Sequence, residues 1–181
     1  KKEMEVKALL EITQAINNNL SEDSLYKIFK FTALSNLRIT RLCLYVYEEE
    51  WAEKVRFGTG RKFTAESPDD CFHSIGKNTP VSELVQDGPF LEFDVVVPVP
   101  HKGRNLALLF VGGMQSVQQS HDRDELVGFL QALTNIMVVA IENRKLARRE
   151  LEQEALRKEL EIAGDVQQLL FPERLPKTGV V

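Results

Sequence analysis

The spacing of apolar side chains changes twice along this chain, from about 3.6 residues to 2 and back again. Val6, Leu9, Ile12, Ile16 and Leu20 recur at helical spacing and predict an N-terminal helix with one apolar stripe. Ser21 then reads as the N-cap of a second helix, with Glu22 and Asp23 in the first turn, where the helix dipole favours anions. Its expected buried face is Leu25, Ile28, Phe29, Thr32 and Leu37. From residue 41 the period becomes 2. L-C-L-Y-V-Y and W-A-E-K-V-R-F, joined by three glutamates, read as a hairpin with Trp51, Glu53, Val55 and Phe57 on one face and Ala52, Lys54 and Arg56 on the other. D-V-V-V-P-V-P and N-L-A-L-L-F-V flank H-K-G-R as a second hairpin. Pro98 and Pro100 cannot donate to a ladder, so part of that strand belongs at an edge or a bulge. Residues 58 to 93 between the hairpins read as loop, with one short helical segment in V-S-E-L-V. Long ordered loops are disproportionately functional, so a ligand site is expected here first.

The helical period returns at the D-x-x-E box of Asp122 and Glu125 and runs through Leu126, Phe129, Leu130, Leu133, Met137, Ala140 and Ile141, with no proline before Pro172. At 1.5 Å per residue, roughly 46 residues make a helix of roughly 70 Å. Only its first half fits on the sheet. In the second half, Leu146, Arg149, Gln153, Leu156, Leu160, Ala163, Gln167 and Leu170 follow a 4,3 seam that is apolar at five of eight places. Glu154 with Lys158 and Arg157 with Glu161 add cross-turn ion pairs. An isolated helix of this kind is marginal in water, so a homodimer through the terminal helices is expected.

Composition narrows the function. The chain of 181 residues, 43% hydrophobic and 28% charged, suits one globular domain with an appendage. A net charge of -4 argues against nucleic acid and against an acidic membrane surface. Two cysteines, Cys43 and Cys71, are too few for a disulfide framework, so a reducing cytoplasm is the expected compartment. No uninterrupted apolar run reaches the roughly 18 residues of a membrane span. The sequence does not begin with methionine, which suggests a piece excised from a longer protein.

D-E-L-V-G-F-L-Q-A-L-T-N-I-M-V-V-A-I-E-N-R-K-L resembles the closing helix of GAF domains, and P-V-P-H-K-G-R-N-L-A-L-L-F-V-G-G resembles the last two strands of that fold. The resemblance covers about residues 5 to 146. It implies an α+β fold, a GAF-like antiparallel sheet with N- and C-terminal helices on one face, followed by a long C-terminal coiled-coil-like helix. The implied organisation is an N-terminal helix over 1–20, a sensory domain over 21–143, a helical linker over 144–170 and the start of a further domain over 171–181. L-E-I-A-x-x-V-Q-Q-x-L-x-P-x-x-L-P, at 160–176, is similar to the entry segment of bacterial PPM-type serine/threonine phosphatases of the stage II sporulation E class. That similarity implies a module controlling an adjoining phosphatase, with Mn or Mg only in the phosphatase domain and no catalysis in these residues. Gly164 departs from the family pattern, and a helix-interior glycine costs roughly 1 kcal/mol, so it is either a hinge or a tolerated surface glycine.

Tyr45, Tyr47, Phe57, Phe63, Phe72, Phe90 and Phe93, with His73, are the candidates to line a pocket between sheet and loop for an unidentified small molecule. The competing reading is a filled aromatic core. Asp69, Asp70, Cys71 and His73 share one loop, but structural metal sites usually draw ligands from two separated clusters, so no metal is expected. His73, His101 and His121 show no nucleophile, base and orienter arrangement. Two further readings stay open: a ligand-free GAF adaptor for a partner protein, and a small GAF-fold redox enzyme built on Cys71.

Overall fold

The computed structural model describes residues 2–36, 39–61, 63–64 and 67–170. Leu37, assigned to the second helix's buried face, and the 171–181 segment lie outside them. Helices α1 (Lys2–Asn17) and α2 (Glu22–Asn36) precede strands β1 (Arg41–Tyr47) and β2 (Trp51–Phe57). A connection holding α3 (Asp70–His73), β3 (Thr79–Pro80) and α4 (Val81–Leu84) leads to β4 (Val95–His101) and β5 (Arg104–Gly112), and α5 (Ser120–Leu170) follows. The five strands form one antiparallel sheet in the order β2-β1-β5-β4-β3. The chain divides into two compact units, Lys1–Ile141 and Glu142–Val181.

Within the first unit one sheet face carries the aliphatic core. Leu42, Leu44 and Val46 of β1, Val97 and Val99 of β4 and Leu109 and Val111 of β5 meet Ile12 of α1, Leu25 and Phe29 of α2, and Leu126, Leu130, Leu133 and Met137 of α5. The period of 2 along each strand is what separates these residues from their neighbours on the opposite face. Ser21 caps α2 as expected: the Ser24 N–H donates to Ser21 Oγ at 3.2 Å.

Three local expectations change and one holds. In α1 the buried line is Ala8, Ile12 and Ala15, with Leu9 and Ile16 packed at its side, whereas Val6 is 64% exposed and Leu20 lies past the helix end. Alanines make up two-thirds of that line, and their low hydrophobic contrast hides it from a search for large apolar residues. In β2 the alternation breaks. Leu44 pairs with Val55 but Tyr45 pairs with Glu53, so Lys54 is an extra residue, a bulge that turns Trp51 to the face opposite Val55 and Phe57. Pro98 and Pro100 sit where expected: β3 covers only Val95 and Val96 of β4, which leaves the rest of that strand at the edge, and the register shifts between Val99 and Pro100. Finally, α5 begins at Ser120, so Asp122 lies inside its first turn and is not its N-cap.

One window of α5 is apolar enough to span a bilayer by length and composition, with mean hydropathy 1.5, and half of it is buried inside this fold.

Candidate functional site

The sheet's second face is covered by the 58–94 connection. Cys43 and Tyr45 of β1, Val96 of β4 and Leu108 and Phe110 of β5 project into it, and Phe63, Phe72, Val81, Phe90 and Phe93 come down from the connection. All of these residues are buried. The rings stack closely: Phe90 and Phe110 have centroids 4.7 Å apart, Phe72 and Phe110 5.0 Å, Phe72 and Phe90 5.1 Å, and Tyr45 and Phe110 5.8 Å in an edge-to-face arrangement. These separations are those of aromatic pairs in contact, so the rings pack on one another between sheet and connection.

Burial also sets the acidity of the polar atoms here. It pushes the Cys43 thiol up to about 12, and it raises the Tyr45 hydroxyl, to which the neighbouring Cys43 adds. Both groups therefore stay neutral, as a low-dielectric site requires.

Among the sequence candidates, Tyr45, Phe63, Phe72 and Phe90 meet in this cluster, together with Phe93. Phe57 does not. The β2 bulge sends it to the helix side, where it packs on the aliphatic core. Tyr47 and His73 stand at the rim with Trp51. Trp51 lies 5.3 Å from both the Tyr47 and the His73 rings, and the Arg104 guanidinium sits 5.1 Å over Tyr47. The His73 Nε2–H donates to the Pro68 carbonyl at 2.9 Å, which fixes the tautomer, while its Nδ1 is 3.7 Å from Asp70 Oδ1. Cys71 is exposed, and its thiol is held above the ordinary value by desolvation and by Asp69. A redox thiol needs the opposite shift, and the second cysteine, Cys43, is buried in the sheet.

The residues that hold this cover in place carried no sequence signal. Asn105 Nδ2 donates to the carbonyls of His73 at 3.0 Å and Ile75 at 2.9 Å, pinning the end of α3 to β5. At the other end Arg41 Nη1 donates to the Glu92 carbonyl at 3.0 Å, the Gly60 N–H donates to Glu92 Oε2 at 2.8 Å, and the Met114 N–H donates to Asp94 Oδ2 at 3.1 Å. Gly113, just before Met114, stands at φ +75°, where a Cβ would overlap Thr40 Oγ1, so glycine is required at this close approach. A polar residue at a strand end is ordinary, and only the folded geometry shows Asn105 clamping a helix thirty residues upstream.

The described residues of the second unit are the helical run 142–170. Every residue from Ala147 to Leu170 is exposed. Leu156, Leu160 and Leu170 of the expected seam are 56%, 66% and 67% exposed, Ala163 is exposed and Leu146 half-buried. Arg157 is held by Glu154 at 2.8 Å and Glu161 at 2.9 Å on another side of the helix. Around Gly164 there is open space.

No protein-family model and no curated protein matches the sequence. Solved structures do match. A GAF domain of a phosphoenolpyruvate-protein phosphotransferase from Coxiella burnetii aligns with a TM-score of 0.60 at 14% identity, over 80% of this chain and 96% of that one. The GAF domain of a protein described as a sensor histidine kinase from Pseudomonas syringae pv. tomato aligns with a TM-score of 0.58 at 14% identity, over 84% and 94%. A GAF domain/HD domain protein from Geobacter sulfurreducens aligns with a TM-score of 0.53 at 10% identity, over 72% and 98%. With its antiparallel sheet, helices on one face and looped cover on the other, the chain has the GAF fold.

Proposed function

We propose that this chain is a sensory and dimerisation module of a cytoplasmic bacterial protein, and that it controls an adjoining PPM-type serine/threonine phosphatase through the second half of α5. The observation that carries the reading is that half of α5 itself. It keeps a 4,3 apolar seam through Leu156, Leu160, Ala163 and Leu170, with every residue from 147 to 170 exposed to solvent. A seam of that spacing is suited to the same helix of a second copy. Its flanks suit a parallel pair, since Lys145 with Glu150 and Glu152 with Arg157 stand five residues apart at the positions that meet across such a seam. The same segment runs into the L-E-I-A-x-x-V-Q-Q motif that resembles the phosphatase entry. GAF domains of a protein described as a sensor kinase and of a GAF/HD protein share the fold, which supports a signalling setting. Any Mn or Mg belongs to the adjoining catalytic domain.

Signal transfer requires a ligand or partner that favours one arrangement of the paired helices over another, because only differential affinity shifts a population. The mutually packed rings of the loop-side face favour a second reading of the input, in which the domain is a ligand-free adaptor that receives a partner protein. Replacing Leu156 and Leu160 with Asp tests the central claim. The double variant is expected to stay folded and to form a weaker dimer than the parent in sedimentation. A variant that dimerises as strongly as the parent would move the interface off this seam, and a monomeric parent would sink the reading.

A further inference from the structure

The second half of α5 carries more apolar surface than one seam uses. Leu151, Ala155, Ile162, Val166 and Leu169 are exposed as well, the four large ones between 46% and 84%. At 100° per residue they fall in one narrow stripe, whose centre lies roughly 110° around the helix from that of Leu156, Leu160, Ala163 and Leu170. Glu159 stands between the two stripes and Glu152 at the near edge of the first, and the ion-paired Glu154, Arg157 and Glu161 fill the remaining polar arc.

The two stripes have different periods. The first follows strict seven-residue spacing from Leu146 to Leu170. The second repeats after eleven, Leu151 with Ile162 and Ala155 with Val166. A seven-residue repeat imposes a left-handed supercoil and an eleven-residue repeat a right-handed one. Both are spacings of helices that pack on helices, and the second stripe has complementary flanks, with Lys158 on one side and Glu152 and Glu159 on the other. In a symmetric parallel pair the lysine flank of one copy meets the glutamate flank of the other.

We propose that the second stripe is an alternative dimer seam: two copies of this chain pair either through the seven-residue stripe or through the eleven-residue stripe, and exchange between them by rotating each helix about its axis. The inference rests on the dimer reading above and adds what the switch consists of. The two seams share one helix and cannot face the same partner together, so anything that favours one weakens the other.

Disulfide trapping in the full chain tests this. Cys71→Ser removes the exposed thiol and buried Cys43 stays. Single cysteines are then placed at Leu160, at Ile162 and, as a control on the polar arc, at Glu161. Leu160→Cys and Ile162→Cys are each expected to cross-link at least about fivefold faster than Glu161→Cys. Adding Val166→Asp should slow the Ile162→Cys link and speed the Leu160→Cys link, and adding Leu156→Asp should do the reverse. Cross-linking above control at Leu160→Cys alone, or at Ile162→Cys alone, overturns the two-seam inference and leaves a dimer with one seam. Equal rates at all three positions, or none in a chain that sediments as a dimer, overturn it too. A parent that sediments as a monomer fails the dimer reading itself, before any cysteine is introduced.

Discussion

The two halves of α5 are one continuous helix with two different fates. Between Ser120 and Ile141 its apolar side is buried, with Leu130, Leu133 and Met137 shut away against the aliphatic face of the sheet. From Ala147 to Leu170 residues as apolar as Leu151, Leu156 and Leu169 are open to water. Periodicity decides that both halves are helical and says nothing about what covers them. The first half has a sheet face of matching aliphatic side chains, and on the reading proposed above the second is matched by another chain. If that is right, equivalent truncations separate widely. Leu133→Ala is expected to destabilise the folded unit by roughly 2 to 5 kcal/mol, the range for buried leucines that leave a cavity. Leu160→Ala should change urea unfolding of that unit by less than about 0.5 kcal/mol, as exposed substitutions do. Similar losses at both positions would mean that Leu160 belongs to the core of the folded unit and would break the comparison.

The same contrast marks what was legible in the sequence. Both hairpins, the α2 cap, the prolines at an edge and a bulge, and the length of α5 follow from local spacing and chemistry, and local rules placed them. The misreadings share a cause. The β2 bulge at Lys54 inverts the face of Trp51, and a single inserted residue leaves no mark in an alternating pattern. It also removed Phe57 from the candidate site and left Tyr45, Phe63, Phe72 and Phe90 together. Helix α3, strand β3 and the short 3-10 turn at Pro89–Glu92 lie in a connection that read as loop, because Asn105, Glu92 and Arg41 hold it by contacts far apart in sequence. Non-local hydrogen bonds of that kind have no period.

A smaller effect separates the sheet's two faces. The loop side buries ionisable groups that the helix-facing strand residues lack, since burial raises the Cys43 thiol from 9.0 to about 12 and raises the Tyr45 hydroxyl from its usual value. A group whose folded value is raised leaves stability intact below its unfolded value and removes it as pH climbs towards the folded one. The chain should therefore lose stability progressively from about pH 9 to about pH 12, by on the order of 1 kcal/mol per pH unit for each such group. Urea unfolding at neutral and alkaline pH measures it. Cys43→Ala should delay the onset to the region where tyrosine begins to titrate, and an unchanged onset would assign the alkaline loss to other groups.

The smallest expected effect concerns Gly164 and sharpens the first comparison. No atom lies within 4 Å of the place a Cβ would take, and its helical backbone suits an alanine. In this helix the substitution therefore acts through backbone entropy alone and should stabilise the second half of α5 by roughly 1 kcal/mol. The gain should appear as slower amide exchange around residue 164, while the melting of the first unit stays where it was. Should Gly164→Ala instead slow exchange between the two seams, as read by the cross-linking ratio at Leu160→Cys and Ile162→Cys, the glycine is the point at which the helix yields. A change confined to local amide exchange would make it a surface glycine that the helix tolerates.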